Sequence, residues 1–255
     1  MVPHLEQVVA AIAFVGARIS GLMVFAPFLG NAAVTARVKV GLVVMLTGLL
    51  YPVCGIREVS FTMGGMLRIV GSEMLVGLLI GLTMQLAFEA AQFAGQIIGV
   101  QVGFGLVNIL DPNTQVDTPV LAVFSQTLAT LMFLELGLHR WLIHALANSF
   151  QYLPPASAIV GGHVVEGLLH AVNVIWLSGI QLAAPVIACT LLVDVSLGFL
   201  GKASPQFPVL FLGLPIKNLL GLLLLTFSMR YWPAILEHGF TGCSRIAEQL
   251  LHMAH

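Results

Sequence analysis

Residues 73–103 read EMLVGLLIGLTMQLAFEAAQFAGQIIGVQVG. This stretch decides the fold. From about Met66 to Gly103 there is no proline and no strong helix break. At 1.5 Å per residue such a helix is about 55 Å long, against about 30 Å for a bilayer core. A simple crossing does not need that length. The segment either leaves the hydrocarbon as a helix or bends back inside an assembly. Glu73, Gly77, Gly81, Gln85 and Glu89 recur every four residues, and Gln92 and Gln96 continue the stripe. Residues so spaced share one slowly rotating face. Lipid would leave these carboxylates and amides without partners, so the face should meet protein or water. Gly77, Gly81, Gly95, Gly99 and Gly103 add small residues that admit a second helix backbone. Packing inside one membrane protein and a stripe facing a pore both fit.

The pattern then stops. Residues 103–119, GFGLVNILDPNTQVDTP, mix turn formers with large apolar groups. Asp111-Pro112-Asn113 is a turn signal, and Pro119 suits the first turn of the next helix. A loop of this length without structure of its own is often functional.

Composition sets the class. Of 255 residues, 58% are hydrophobic and 8% charged. A soluble domain carries about 25% charged residues, so this chain cannot cover a water-facing surface. It reads as an all-α integral membrane protein of long helices and helical hairpins. The near-zero net charge argues against a nucleic-acid surface. Cys54, Cys189 and Cys243 have no metal-like spacing and read as free thiols. The N-terminus lacks a basic region and a convincing cleavage site, so the first apolar helix is expected to remain.

Outward from the centre, Val8 to Gly30 is apolar with Arg18 near its middle. A charge there is costly in lipid. A structural ion pair is the preferred reading over a transport role. Val40 to Tyr51 is a second apolar segment, ended by Pro52 and Gly55. Val120 to Leu138 is another helix. Trp141 to Leu153 continues as an amphipathic run, with Trp141 and Tyr152 as interfacial anchors. Pro154-Pro155 cuts it. Val164 to Leu200 is a second over-long stretch that Pro185 should kink. A turn at 201–208 and a return helix, Val209 to Met229, complete a hairpin. Asp194 and Lys217 sit on opposite limbs at comparable distances from the turn, which makes an ion pair reasonable; Lys217 follows Pro215. The tail from Tyr231 on carries an apolar helical face and should lie on a membrane surface or a partner. His163, Glu166 and His170 share one helical face, but a polar helix start explains them better than a metal site. Lys and Arg are too evenly scattered to orient the chain.

Two motif groups carry a resemblance. Gly95-Gln-Ile-Ile-Gly-Val-Gln-Val-Gly-Phe-Gly, Leu110-Asp-Pro-Asn-Thr and Thr118-Pro-Val-Leu resemble the signature of the FliR family, with SctT as the virulence-system counterpart. Ala183-Ala-Pro-Val, Ser204-Pro-Gln and Leu214-Pro-Ile-Lys217 resemble the small two-helix subunit FliQ. Together they cover most of the chain from Glu73 to Lys217. The resemblance implies a FliP-like region, residues 1–158, followed by a FliQ-like hairpin with an amphipathic tail, residues 159–255. It implies a subunit of the flagellar type III export gate in the bacterial inner membrane and flagellar basal body. Expected partners are FliP-type, FliQ-type and FlhB-type subunits, unfolded export substrates and membrane lipid. The loop at 103–118 matches the family's plug at the closed pore: Gly103, Phe104, Gly105, Leu106, Val107, Ile109, Leu110, Asp111 and Pro112. Apolar groups at a constriction can gate by dewetting. Gly103 and Gly105 would supply its hinge.

No phosphate-binding loop, zinc-protease motif or nucleophile elbow is present, and no carboxylate pair suggests an acid/base dyad, so a non-enzyme without cofactor is expected. The rival reading is a small secondary transporter with Glu73, Glu89 and Asp194 as coupling carboxylates. A third is a scaffold that never lines the path.

Overall fold

The computed structural model describes residues 2–26, 34–53, 63–104, 119–154, 162–204, 206 and 209–253. Among these residues there are helices and no strands. We label the α-helices α1 (Val2–Phe25), α2 (Ala36–Leu50), α3 (Met63–Val102), α4 (Val120–Glu135), α5 (Leu138–Tyr152), α6 (Gly162–Ala203), α7 (Val209–Ser228) and α8 (Trp232–Met253). A 3-10 turn, Tyr51–Val53, follows α2. The all-α membrane class read from composition is the class found. At 40 and 42 residues, α3 and α6 are each about 60 Å long. Helix α6 runs unbroken through Pro185.

Among the described residues, three helices are long and apolar enough to cross a membrane: Gln7–Phe25, Gly64–Val102 and Leu169–Ala203. Two further pairs, α4 with α5 and α7 with α8, reach that standard only when each pair is taken together across a short break. Gly137 makes the first break, with φ +69° at the N-cap of α5. Such a backbone suits glycine.

The chain packs as two units. One comprises Met1–Ala87, Phe133–Asn173 and Phe240–His255; the other comprises Phe88–Met132 and Val174–Gly239. The first has a core fed by α1, α2, α3 and α5, including Val15, Ile19, Leu46, Ile80 and Leu146. Trp141 rests partly buried against this core.

The tail departs from expectation. Trp232, Leu236, Phe240, Cys243 and Ile246 on α8 are all buried. The ring of Phe240 lies 5.6 Å from that of Phe133. The chain therefore covers this apolar face itself, without a membrane surface or partner. Helix α5 behaves alike: Leu142, Ala145, Leu146 and Phe150 are buried, while His139, Arg140, His144 and Asn148 are exposed. Both helices turn polar residues outward, which suits water or polar protein better than lipid tails.

Candidate functional site: the charged and glycine-lined faces of the central helix

The first half of the polar stripe is an internal clamp. Arg18 Nε donates to Glu73 Oε2 at 2.7 Å, and Nη2 lies 2.6 Å from the same oxygen. Nη1 donates to Ser149 Oγ at 3.0 Å, and Nη2 to the Leu153 carbonyl at 2.9 Å. The guanidinium carbon sits 4.2 Å from the centre of the Phe150 ring. Arg18, Glu73 and Ser149 are fully buried. A lone buried charge costs several kcal/mol, whereas a paired and hydrogen-bonded one does not leave that penalty uncompensated. Arg18 also satisfies a carbonyl at the end of α5, the kind of group a helix terminus leaves open.

Glycines make this pairing possible. A Cβ on Gly77 would overlap the Arg18 carbonyl, and one on Gly21 would overlap the Met74 carbonyl. A Cβ on Gly81 would lie 2.7 Å from the Leu22 carbonyl oxygen. Helices α1 and α3 therefore meet backbone to backbone, which brings Glu73 against Arg18. Of the two readings open for the stripe, packing within the chain holds for Glu73, Gly77 and Gly81. Further along, Gln85, Glu89 and Gln92 are half-buried and Gln96 is exposed.

The sequence did not point to Ser149, Phe150 or the Leu153 carbonyl. One signal was present: Gly21 lies one turn beyond Arg18 and Gly77 one turn beyond Glu73, so each charge has a point of close approach beside it.

In the second unit, Gly95 faces α4, where a Cβ would lie 2.7 Å from Ala122 Cα. Pro119 opens α4 as expected, its carbonyl accepting from the Ala122 amide at 2.9 Å. Helix α3 ends in a defined cap. The Phe104 amide donates to the Gly99 carbonyl at 2.9 Å, and the Gly103 amide to the Val100 carbonyl at 3.1 Å. Gly103 has φ +97°. This pattern is a Schellman motif with glycine at the left-handed position. Gly103 is thus a fixed stop for α3. Phe104 is 37% exposed. Gly105, Leu106, Val107, Ile109, Leu110, Asp111 and Pro112 lie outside the described residues.

The hairpin limbs α6 and α7 carry the expected pair: Lys217 Nζ lies 2.5 Å from Asp194 Oδ1. Lys217 is mostly buried and Asp194 half exposed. Pro185 and Pro215 both lie inside helices, in α6 and α7. Glu166 and His170 are exposed on α6. Among the described residues, no group of three His, Cys, Asp or Glu side chains is close enough to hold a metal ion.

These features define an all-α integral membrane protein whose buried arginine and whose hairpin carboxylate are both held in ion pairs inside the chain. Residues 9–243 match the family model described as bacterial export proteins, family 1. The chain belongs to that family. It is 34% identical over 225 residues to the flagellar biosynthetic protein FliR of Pectobacterium carotovorum subsp. carotovorum, covering 88% of this chain and 86% of the relative. It is 33% identical to FliR of Escherichia coli strain K12, covering 88% and 86%. It is 27% identical to the secretion system apparatus protein SsaT of Salmonella typhimurium, covering 87% and 86%. The protein is thus a membrane component of a flagellar or type III export apparatus.

Proposed function

We propose that this chain is the FliR-type subunit of a flagellar export gate in the bacterial inner membrane. Residues 1–158 form its FliP-like region and residues 159–255 its FliQ-like hairpin and tail. It assembles with FliP-type, FliQ-type and FlhB-type subunits, and unfolded export substrates pass through the assembly. The chain acts as a conduit and carries no catalyst or cofactor. The 34% and 33% identity to the FliR of Pectobacterium carotovorum and of Escherichia coli, against 27% to SsaT, favours the flagellar branch.

The observation that carries this reading is α3. It is about twice as long as a bilayer core needs. A helix of that length, with a half-polar face, suits a gate that rises beyond the hydrocarbon. Its cap at Gly103 delivers the chain into residues 103–118, the segment we assign as the plug of the idle pore. The outward polar faces of α5 and α8 suit the same hydrated setting. Against the transporter reading, Glu73 is bound to Arg18 and Asp194 to Lys217.

The test is deletion of residues 105–118 in cells that assemble the apparatus. The plug reading expects idle gates to leak ions and small solutes. Unchanged leakage in a gate that assembles normally contradicts it.

A further inference from the structure

The second unit holds a mechanical linkage that the gate reading does not itself require. Helix α6 meets α3 through Gly179. A Cβ there would lie 2.8 Å from Phe93 Cδ1 and 3.1 Å from the Ala90 carbonyl. One turn earlier, Trp176 packs edge-on to Phe93, ring centres 4.5 Å apart. Helix α7 meets the last turn of α3 through Gly221, where a Cβ would overlap Val102 Cγ2. Gly103 is itself covered by Leu214, whose Cδ2 would lie 3.2 Å from a Cβ. The two limbs thus hold α3 at levels about 14 Å apart along its axis, taking the nine residues from Phe93 to Val102 at 1.5 Å each.

On α7 the ion-paired Lys217 lies between Leu214 and Gly221. Leu214, Lys217 and Gly221 are spaced three and four residues apart, so they share one face of α7. Lys217 reaches Asp194 on α6. Gly213 packs on Leu197 of α6, a Cβ there lying 2.9 Å from Leu197 Cδ1. The face of α7 that seats the end of α3 is thus the face whose register against α6 is pinned by charge. An exposed ion pair contributes little in water, but Lys217 is mostly withdrawn from solvent, and an unpaired cation in an apolar hairpin is costly.

We infer that the α6–α7 hairpin is a positioning element for the end of α3: the Gly221 notch seats Val102, the Asp194–Lys217 pair sets the register of the two limbs, and together they fix where the chain leaves the helix at Gly103 and Phe104. A shift of α7 along α6 moves Leu214 and Gly221 together, and the cap at Gly103 must follow. The position of Phe104 is set this way whether or not residues 103–118 form a plug. Only the consequence for leakage rests on that reading.

The experiment uses the full chain in complex with its co-expressed partner subunits. Cys54, Cys189 and Cys243 are replaced by serine and Phe104→Cys is introduced. The readout is the rate of modification by a water-soluble maleimide. A parallel Val24→Cys reporter on α1, at a site 52% exposed, registers general loosening. Gly221→Val should change the rate at position 104 severalfold and leave position 24 unchanged. Adding Val102→Ala, which empties the space, should restore it. Lys217→Asp should also shift the rate at 104, and the swap Asp194→Lys with Lys217→Asp should restore it. If Gly221→Val fails to assemble, the charge series decides alone. Unchanged rates at position 104 in assembled variants overturn the inference, as does a swap that assembles without restoring the rate. Rates that move at 104 while idle leakage stays constant uphold the positioning role and count against the plug.

Discussion

Arg18 and Glu73 lie 55 residues apart in sequence and form a fully buried pair, with Nη2 and Oε2 separated by 2.6 Å. The pair joins α1 to α3. Through Ser149 and the Leu153 carbonyl it also holds the end of α5. One guanidinium thus closes the packing of three helices, and α3 can run on from a fixed point.

Removing one partner should be far worse than removing both. Arg18→Ala leaves a buried carboxylate and should destabilise the protein by about 3–5 kcal/mol. Arg18→Met with Glu73→Leu should recover most of that loss, because apolar groups of similar size leave no orphan charge. Thermal unfolding in detergent, read beside yield, separates these outcomes. Equal damage from the single and double changes would show that the charges themselves are needed.

The glycines should divide sharply by position. A Cβ at Gly77 meets the backbone of α1, while one at Gly41 or Gly71 meets nothing within 4 Å. Gly77→Ala should therefore lower the unfolding temperature strongly. Gly41→Ala and Gly71→Ala should be neutral or gain up to about 1 kcal/mol from helix propensity. Comparing the three variants in one detergent checks this.

Gly103 should resist substitution for a different reason. Its φ of +97° disfavours a side chain, and Leu214 covers it. Gly103→Ala should cost about 1–2 kcal/mol, and Gly103→Asn less, since asparagine tolerates left-handed backbone better. Hydrogen exchange at the end of α3 is the measurement, with faster exchange expected at residues 99–104.

Much of the fold was legible because apolar length and turn residues mark helix ends in a membrane chain. Pro119 falls where a helix begins, whereas α6 runs on through Gly201–Ala203, the first residues of the expected 201–208 turn; the spacing of Asp194 and Lys217 on the two limbs still gave their pairing. Arg18 was legible as a buried charge in need of a partner. Its partner was not, because Glu73 sits on a stripe that fits a pore equally well, and only the approach of α1 at Gly21 and Gly77 decides between them. The tail was misread for a related reason. An amphipathic pattern says that a face will be covered, and Phe133, the aromatic contact of Phe240, lies 107 residues earlier at the end of an unrelated segment.

That covering contact is itself testable. Phe240→Ala removes a fully buried ring and should destabilise the protein by about 3–5 kcal/mol. Had α8 lain on a membrane surface, the same change would weaken lipid binding and leave the unfolding temperature nearly unchanged.

In the proposed gate, α3 leads the chain to the export path. Site-specific photocrosslinking from Phe104 addresses this most directly, in assembled gates carrying a stalled export substrate. A photoreactive residue at Phe104 should capture the substrate, and one at the exposed Val24 of α1 should not. Capture at neither position, in gates that still export, would place the end of α3 away from the path and reduce this chain to a scaffold.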